Sequence, residues 1–490
     1  MLPLTELDQK YVWHPFTQMQ DWLGHEPIVI TSGKGATLQD SKGRSYLDAN
    51  SSIWTNLHGH RNPGLDKALR GQLAKVAHSS FLGLTNEPAA KLAGELVRLA
   101  NPINLSEVMG PDDTLSKVFY SDDGSTAMEV ALKQAYQFAQ RSGLSASPRF
   151  LSLEGAYHGD TLGAVSLGHI DLFHKSYANL LFPTDSVMSP YCYRCPFNRA
   201  APKRADARTY RVCEWECVAK VEEVCATKQA QGEPYTAMVV EPGLQGAAGM
   251  IPQPEGWLQQ VSKVLRRHGT QLIADEVMTG FGRATVDEDS NGQPVWFASH
   301  AEGVQPDFLV LAKGLTGGYL PMAATLTTQR VFDVFLGRYE EFKSFFHGHS
   351  YTGNALGSAV ALANVELLET KRTRQQRHRL AAALRTESAV LWELPQVGDM
   401  RQCGLILAVE LVEDWKTRKP LALKDRAGFR VCEAMARRGV LTRPIGNVIV
   451  VMPPYCTTPS QVQQILTCLH DSIVEIFPNH PKNSEKLEKH

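Results

Sequence analysis

Short apolar runs alternate with longer segments of helical periodicity through the first two thirds of the chain. The runs typical of buried strands are 117–121, 150–153, 237–241, 271–275 and 308–312. Segments with helical spacing are 65–77 and 125–141. This alternation predicts an α/β fold with a mostly parallel sheet that helices cover on both faces.

The pattern changes after about residue 346, where long helical segments flank an alternating strand at 405–411. The change predicts three segments. Residues 1–63 are an N-terminal segment that belongs to a small domain, residues 64–345 form a large domain, and residues 346–490 form a C-terminal small α+β domain. Residues from about 190 to 231 fit neither pattern, because they carry many charges and five of the nine cysteines. We interpret them as an insertion in the large domain.

Composition excludes several classes of function. The 490 residues include 50 Lys plus Arg and 51 Asp plus Glu, so the net charge of −1 offers no general affinity for nucleic acid. No signal-peptide core is visible near the N-terminus, and the longest apolar runs are too short to span a bilayer. An odd number of cysteines in a long chain argues against a disulfide framework. We expect a soluble, cytoplasmic protein that binds neither nucleic acid nor membrane.

Polar residues follow several of the predicted strands, and ligands of open α/β sheets gather at the carboxyl ends of strands. The strand 117–121 runs into Asp122-Asp123-Gly124-Ser125 and then into a helix. Backbone amides at such a helix start suit a phosphate. The same segment also fits an ordinary strand-to-helix turn with a Ser N-cap.

Three further side chains stand at or just after predicted strands. Asp275 ends a buried strand, where a carboxylate either caps the next turn or holds a cation. Lys313 follows a second predicted strand. Its side chain is either an amine activated by desolvation or a solvated lysine beside a Gly turn. Tyr157 lies in a loop after a third, where its ring either stacks on a planar ligand or packs within the loop.

Taken together, these groups are the ones that pyridoxal 5′-phosphate (PLP) requires. The phosphate would dock at Gly124 and Ser125, and Tyr157 would stack on the ring. Asp275 would pair with the protonated pyridine nitrogen and keep the ring an electron sink. Lys313 would form the imine and later move the proton. The set therefore predicts a PLP site.

At these residues the sequence resembles the class III, fold-type I aminotransferases. The carboxylate, the Gly-Phe-Gly-Arg turn and the lysine of that family appear at 275–277, 280–283 and Lys313. Motifs similar to the biotin-synthesis branch of the class are 13–19, 51–54, 58–60, 77–79, 346–350, 442–446 and 452–455. The resemblance spans roughly residues 11–475. It implies a seven-stranded sheet in the large domain, PLP as cofactor, and an obligate homodimer with shared active sites.

The resemblance also implies roles for individual residues. The expected catalytic residues are Lys313, Tyr157 and Asp275. The expected cofactor-binding residues are Asp123, Gly124, Ser125, Tyr157, Asp275 and Lys313, with His349 and Ser350 reaching across from the partner subunit. The expected substrate-binding residues are Phe16, Ile53, Trp54, Tyr157, Lys313, Gly348 and Arg443. Arg443 would hold the carboxylate of a keto acid, unless it is a strand-end arginine in solvent.

Three positions depart from the family pattern. Asp123 stands where better-known members carry Ser. Because like charges repel, we expect only its backbone N–H to help the phosphate, or its carboxylate to turn away. Ile53 replaces the first of two pocket tryptophans, leaving Trp54, and Phe16 stands where a Tyr is often found. Both changes should weaken an aromatic cage around the adenosylmethionine sulfonium.

The implied reaction is the amination of 8-amino-7-oxononanoate to 7,8-diaminononanoate in biotin synthesis, with adenosylmethionine or lysine as amino donor. One alternative is another class III enzyme, an ω-amino-acid or diamine aminotransferase that uses pyruvate or 2-oxoglutarate. Others are a PLP-dependent aminomutase or decarboxylase, and a dimeric scaffold without activity. The intact Lys313 and Asp275 argue against the scaffold.

The insertion carries Cys192-x-x-Cys195 and Cys213-x-x-x-Cys217. Two close cysteine pairs are similar to zinc or iron–sulfur spacing. The long basic loop between the pairs and the wider second spacing favour reduced surface thiols instead. We predict no bound metal.

Overall fold

The structure is a computed structural model that describes residues 3–102, 113–288 and 292–478. Its α-helices are Leu4–Tyr11, Met19–Leu23, Ser51–Trp54, Pro63–Leu73, Glu87–Leu99, Gly124–Arg141, Leu162–Ser166, Asp171–His174, Ala207–Tyr210, Glu216–Ala230, Trp257–Arg267, Ala298–Ala301, Gln329–Asp333, Ala355–Glu369, Lys371–Ser388, Ala427–Arg437 and Pro459–Ile476. The 3₁₀ helices are Lys175–Leu180, Lys313–Thr316, Tyr339–Glu341, Ala389–Glu393 and Leu423–Asp425. No helix in these ranges is long and apolar enough to cross a membrane.

The strands are numbered in chain order. They are β1 (Ile30–Lys34), β2 (Thr37–Asp40), β3 (Ser45–Asp48), β4 (Leu115–Ser121), β5 (Arg149–Leu153), β6 (Asp185–Val187), β7 (Tyr235–Val240), β8 (Leu244–Gln245), β9 (Ile251–Pro252), β10 (Gln271–Asp275), β11 (Phe308–Leu311), β12 (Ala323–Thr328), β13 (Val397–Cys403), β14 (Ile406–Asp414), β15 (Lys419–Pro420), β16 (Val440–Leu441), β17 (Pro444–Ile445) and β18 (Val448–Val451).

A seven-stranded sheet forms the centre of the fold, in the order β4-β12-β11-β10-β7-β5-β6. The strands β11, β10, β7, β5 and β6 pair in parallel. Only β12 runs the other way, antiparallel to both β4 and β11. The predicted α/β fold with a mostly parallel seven-stranded sheet is confirmed.

Two strands of this sheet do not appear as apolar runs in the sequence. β12 reads Ala-Ala-Thr-Leu-Thr-Thr and is buried along its whole length, but small and hydroxyl side chains give only a weak strand signal. β6 has three residues and begins with a polar Asp185. Pairing with neighbouring strands, rather than local pattern, places both in the sheet.

Segments from the two ends of the chain share a second sheet. β3 pairs in parallel with β16, with Leu47 beside Val440. The C-terminal strands β13, β14, β17 and β18 form an antiparallel sheet of their own, with β15 at its edge. The domain boundaries at residues 63 and 345 stay a prediction.

The four clustered cysteines of the insertion converge in space. One small cavity is lined by Cys192, Cys195, Cys213 and Cys217. All nine cysteines carry free thiols, and Cys192 and Cys217 are buried, so the prediction of surface thiols is wrong for these two. Burial raises the pKa of Cys192 to about 12 and that of Cys217 to about 11, which keeps both thiols protonated. Within the described residues, no group of three or more His, Cys, Asp or Glu side chains is placed to hold a metal ion.

Candidate active site

The carboxyl ends of β4, β5, β7, β10 and β11 meet at one cavity. These strands share a direction, so the residues that follow them lie along one edge of the sheet. The cavity has a volume of about 730 Å³, which lies in the range of cofactor sites. The predicted residues on its wall are Trp54, Asp123, Gly124, Ser125, Tyr157, Asp275 and Lys313.

The helix Gly124–Arg141 begins at the wall of this cavity. Asp123 is its N-cap: the carboxylate accepts the Thr126 amide at 2.9 Å, and the Asp123 amide donates to Thr126 Oγ1 at 3.1 Å. The cap is therefore Asp123 and not the Ser suggested by the sequence. The amides of Gly124 and Ser125 make no hydrogen bond within the described ranges, which leaves two donors for an anion.

Close backbone packing shapes the same end of the cavity. A Cβ on Gly124 would lie 2.7 Å from Val277 Cγ1. Gly159 has a φ of +120°, and a Cβ there would lie 2.4 Å from Ser125 Cβ. The Ser125 hydroxyl accepts the Thr161 amide at 2.8 Å. These contacts hold the loop after β5 against the helix start.

A buried histidine supports the carboxylate of Asp275. His158 Nδ1 lies 2.7 Å from Asp275 Oδ2, and the Val277 amide donates to Asp275 Oδ1 at 3.0 Å. His158 Nε2 is buried without a partner in the part of the chain that the structure describes. Burial lowers the pKa of His158, but the adjacent Asp275 carboxylate outweighs burial and the pKa is raised. The contact therefore favours a protonated imidazole and fixes the carboxylate at the cavity wall.

Glu241 is a second buried carboxyl group, immediately after β7. Its Oε2 accepts the Gly246 amide at 2.7 Å, and its Oε1 lies 3.5 Å from the Tyr157 amide nitrogen. Burial raises its pKa to about 7, although nearby His158 opposes the shift. Glu241 therefore keeps a proton in the folded protein at pH values where the unfolded chain has lost it.

We expect this carboxyl to make the cofactor-free protein less stable as the pH rises from about 5 to 8. Between the ordinary pKa of 4.5 and about 7, the folded state binds the extra proton. The stabilisation is present at the lower pH and is lost as the pH rises through 7, a change of about 2 kcal/mol. Urea unfolding at both pH values measures it, and Glu241→Gln should remove it. If the free energy of unfolding changed with pH equally in Glu241→Gln and in the unmodified protein, Glu241 would not be the group responsible.

Lys313 follows β11 in a strained conformation. Its φ is +41°, which is uncommon for a residue with a side chain. Its Nζ lies 5.0 Å from the centroid of the Trp54 ring. Burial lowers the pKa of the ammonium group, against the attraction of Asp275 and Glu241. A lowered pKa raises the fraction of neutral, nucleophilic amine.

Trp54 ends a left-handed turn that also contains Ile53. Four consecutive residues ending at Trp54 have φ values between +47° and +71°, a strained conformation outside glycine. Asp48 holds the turn, because its carboxylate accepts the Ser52 amide at 3.0 Å and the Ser52 hydroxyl at 2.9 Å. The Trp54 indole donates to Asn50 Oδ1 at 2.8 Å. The Trp54 ring is thus fixed at the cavity, whereas Ile53 is 47% exposed and lies off the cavity wall.

Phe16 and Arg443 do not line the cavity, and contacts through Phe173 connect them to its wall. The Tyr157 hydroxyl donates to Asp160 Oδ2 at 2.7 Å. The Tyr157 ring is 6.3 Å from that of Phe173, which in turn is 5.3 Å from that of Phe16. Arg443 Nη2 donates to the Phe16 carbonyl at 3.2 Å. The structure thus connects Arg443 to Tyr157 through two phenylalanines.

Gly348, His349 and Ser350 do not line the cavity. His349 Nδ1 lies 3.3 Å from Asp122 Oδ2, and Asp122 borders the phosphate end of the cavity. The Ser350 carbonyl accepts a hydrogen bond from His78 Nε2 at 2.8 Å. Gly348 and Ser350 are exposed.

Sequence reasoning assigned no role to three residues at the site: His158, Glu241 and Val277. Glu241 ends a predicted strand, as Asp275 does, so the same sequence signal marks both residues. His158 follows Tyr157 directly, but no local signal shows that its ring meets Asp275.

Comparison with known proteins identifies the family. The aminotransferase class-III family profile matches residues 19–473. The chain belongs to the class III aminotransferases. The adenosylmethionine-8-amino-7-oxononanoate aminotransferase of Geobacter sulfurreducens is 45% identical over 470 residues, which cover 96% of this chain and 97% of that protein. The Aquifex aeolicus protein of the same name is 40% identical, with 96% and 97% covered.

Solved structures of class III enzymes and their relatives share the fold. The crystal structure of the Methanocaldococcus jannaschii adenosylmethionine-8-amino-7-oxononanoate aminotransferase matches with a TM-score of 0.84 and 36% identity, covering 96% of this chain and 98% of that one. A PLP-bound amine transaminase from an uncultivated Pseudomonas species matches with a TM-score of 0.84 and 31% identity, covering 95% and 99%. The protein is therefore a PLP-dependent aminotransferase of fold-type I.

The cavity of this class III chain fits PLP on three observations. Two amides at the helix start have no partner in the described ranges, and glycine at 124 and 159 lets the neighbouring segments pack closely around them. The Asp275 carboxylate is buried at the wall. Among the described residues, Lys313 is the one lysine on that wall, and its partial burial lowers the pKa of its amine.

Proposed function

We propose that this class III aminotransferase converts 8-amino-7-oxononanoate to 7,8-diaminononanoate, in a ping-pong reaction with a separate amino donor. The observation that carries the proposal is the 45% identity, over nearly the whole chain, to an enzyme named for that reaction. A cavity wall that includes both Lys313 and Asp275 supports it.

Each step that we propose uses a group of this chain. Bound PLP supplies a conjugated ring that withdraws electrons from the amino carbon. Asp275, oriented by His158, would keep the pyridine nitrogen protonated, and the amides of Gly124 and Ser125 would hold the phosphate. The Lys313 amine would take the proton from the donor carbon at Nζ and return it to the neighbouring carbon.

Tyr157 would lie against the ring, with its hydroxyl held by Asp160. In the second half-reaction, the same lysine would move a proton in the reverse sense as the keto acid gains the amino group. The cavity wall also carries apolar side chains, such as Met278 and Met322, that suit an aliphatic substrate chain.

Arg443 would hold the substrate carboxylate. It is an exposed arginine whose guanidinium is anchored to the chain at the Phe16 carbonyl. Arg443→Ala should raise the KM for 8-amino-7-oxononanoate by about 10- to 100-fold, because a charged hydrogen-bonded pair is lost. The KM for the amino donor should change less than about twofold. Arg443→Lys should be intermediate, since it keeps the charge but not the bidentate fork. Equal effects on both substrates would contradict the assignment.

The amino donor is adenosylmethionine or lysine. A panel of adenosylmethionine, lysine, alanine and glutamate, with the keto acid fixed and 7,8-diaminononanoate detected by mass spectrometry, tests both the reaction and the donor. We expect product with adenosylmethionine or with lysine. Amination of pyruvate or 2-oxoglutarate, with no 7,8-diaminononanoate from any donor, would instead indicate an ω-amino-acid or diamine aminotransferase.

A homodimer with shared sites is part of the proposal. Two segments near Asp122, about 78–84 and 346–353, pack together and leave large apolar side chains uncovered: Leu82 is 92% exposed and Phe346 is 71% exposed. Exposed apolar patches of this kind mark protein interfaces. A partner seated on them would bring His349 and Ser350 close to the other subunit's phosphate site. Light scattering should give twice the 54.1 kDa chain mass.

We also propose a cytoplasmic location, which the free thiols support.

A further inference from the structure

Asp123 places a carboxylate beside the phosphate end of the cavity. It is exposed, lies on the cavity wall, and precedes the two residues whose amides are free for an anion. Its carboxylate accepts the Thr126 amide at 2.9 Å, and the described ranges contain no cationic partner for it. The cap therefore stabilises the helix but leaves a full negative charge at the helix start.

The two other carboxylates at this end have partners. Asp122 Oδ2 lies 3.3 Å from His349 Nδ1, and Asp160 accepts the Tyr157 hydroxyl at 2.7 Å. Asp122 thus lies beside an imidazole, whereas Asp160 and Asp123 accept hydrogen bonds from neutral donors, which do not balance the charge of a carboxylate. Of these carboxylates, Asp123 is the one that directly precedes the two free amides.

A phosphate held by the Gly124 and Ser125 amides would meet this charge at short range. Successive Cα atoms are about 3.8 Å apart, so the carboxylate and the phosphate would lie within roughly two residue spacings of each other. The positive end of the 18-residue helix, which favours an anion, is partly neutralised by the same carboxylate. Exposure to solvent screens the repulsion and limits it to a several-fold effect.

We propose that the Asp123 carboxylate lowers the affinity of this enzyme for the phosphorylated cofactor. An uncharged N-cap residue with the same geometry would not have this effect, so Asp123 acts as a specificity-determining charge. The consequence is greatest for a cofactor that is not covalently bound to Lys313, because the phosphate then supplies a larger share of the affinity. The inference concerns the cofactor alone and does not depend on which amino donor or keto acid the enzyme uses.

Asp123→Asn separates charge from capping. Asn is as good an N-cap as Asp, so the helix start is retained while the charge is removed. In cofactor-free protein titrated with PLP, and followed by absorbance and by quenching of tryptophan fluorescence, the Asn variant should have a Kd about 3- to 10-fold lower than the unmodified protein. Asp123→Ser should behave in the same way. Asp123→Glu keeps the charge and should not lower the Kd.

Pyridoxal, which lacks the phosphate, is the matched ligand control. Its Kd should be the same in Asp123→Asn as in the unmodified protein, since no phosphate charge is present to be repelled. Inorganic phosphate should compete with PLP more strongly in the Asn variant. An unchanged Kd for PLP, or an equal gain for pyridoxal and PLP, would overturn the proposal. Because the readout is cofactor affinity, failure here would leave the proposed reaction untouched.

Discussion

Lys313→Ala should reduce turnover by at least about 10,000-fold, since both the nucleophilic amine and the group that moves the proton are lost. The physical basis is the position of Lys313: it is partly buried just after β11, desolvation lowers the pKa of its ammonium group, and its Nζ lies over the Trp54 ring. PLP should still bind noncovalently, because Asp275 and the amides of Gly124 and Ser125 are unchanged. Single-turnover kinetics with each substrate measure both half-reactions.

Two measurements separate this expectation from simple misfolding. The variant should retain a PLP Kd that titration can measure, and its absorbance should lack the signal of a cofactor covalently joined to lysine. Lys263→Ala, at an exposed position on the helix Trp257–Arg267, is the control for loss of a lysine and should keep full activity. Normal turnover in Lys313→Ala would be fatal to the proposed mechanism.

Asp275→Asn should have the second largest effect, a loss of about 100- to 1,000-fold in kcat, comparable with removing a preorganised electrostatic group. A neutral amide does not keep the pyridine nitrogen protonated, so the ring withdraws electrons less strongly. The volume of the side chain is conserved, and an amide oxygen can still accept the hydrogen bond from the Val277 amide or from His158.

His158→Gln is the informative companion variant. It should reduce kcat less than Asp275→Asn does, because it removes the support of the carboxylate and leaves the carboxylate itself. The pH dependence of cofactor absorbance should shift in both variants, a change that a purely structural role of His158 would not produce. Activity of Asp275→Asn within threefold of the unmodified enzyme would exclude the proposed role of Asp275.

Local sequence determined those parts of the site that follow directly from buried strands. Asp275 and Lys313 were predictable because short apolar runs end at them, and the carboxyl ends of parallel strands meet at one edge of a sheet. Gly124 and Ser125 were predictable as a helix start. The chemistry of these residues together predicted a PLP site, the resemblance to class III aminotransferases named the class, and the family comparison confirms the class.

Tertiary structure decided everything that depends on residues far apart in the chain. His158 and Asp275 are 117 positions apart, and only the packing of the loop after β5 against the end of β10 brings their side chains to 2.7 Å. β12 has no apolar run and becomes a strand because β4 and β11 flank it. The burial of Cys192 and Cys217 likewise depends on how the insertion folds.

The sequence by itself thus determined the order of those strands and helices that have a hydrophobic pattern of their own and the chemistry at the strand ends, because hydrophobic periodicity and residue type are local properties. Which carboxyl group gains a histidine partner, which aspartate caps a helix, and which carboxyl has its pKa raised to about 7 were decided only in the fold. Each of those outcomes depends on distance and burial, and neither is set until separate segments pack together.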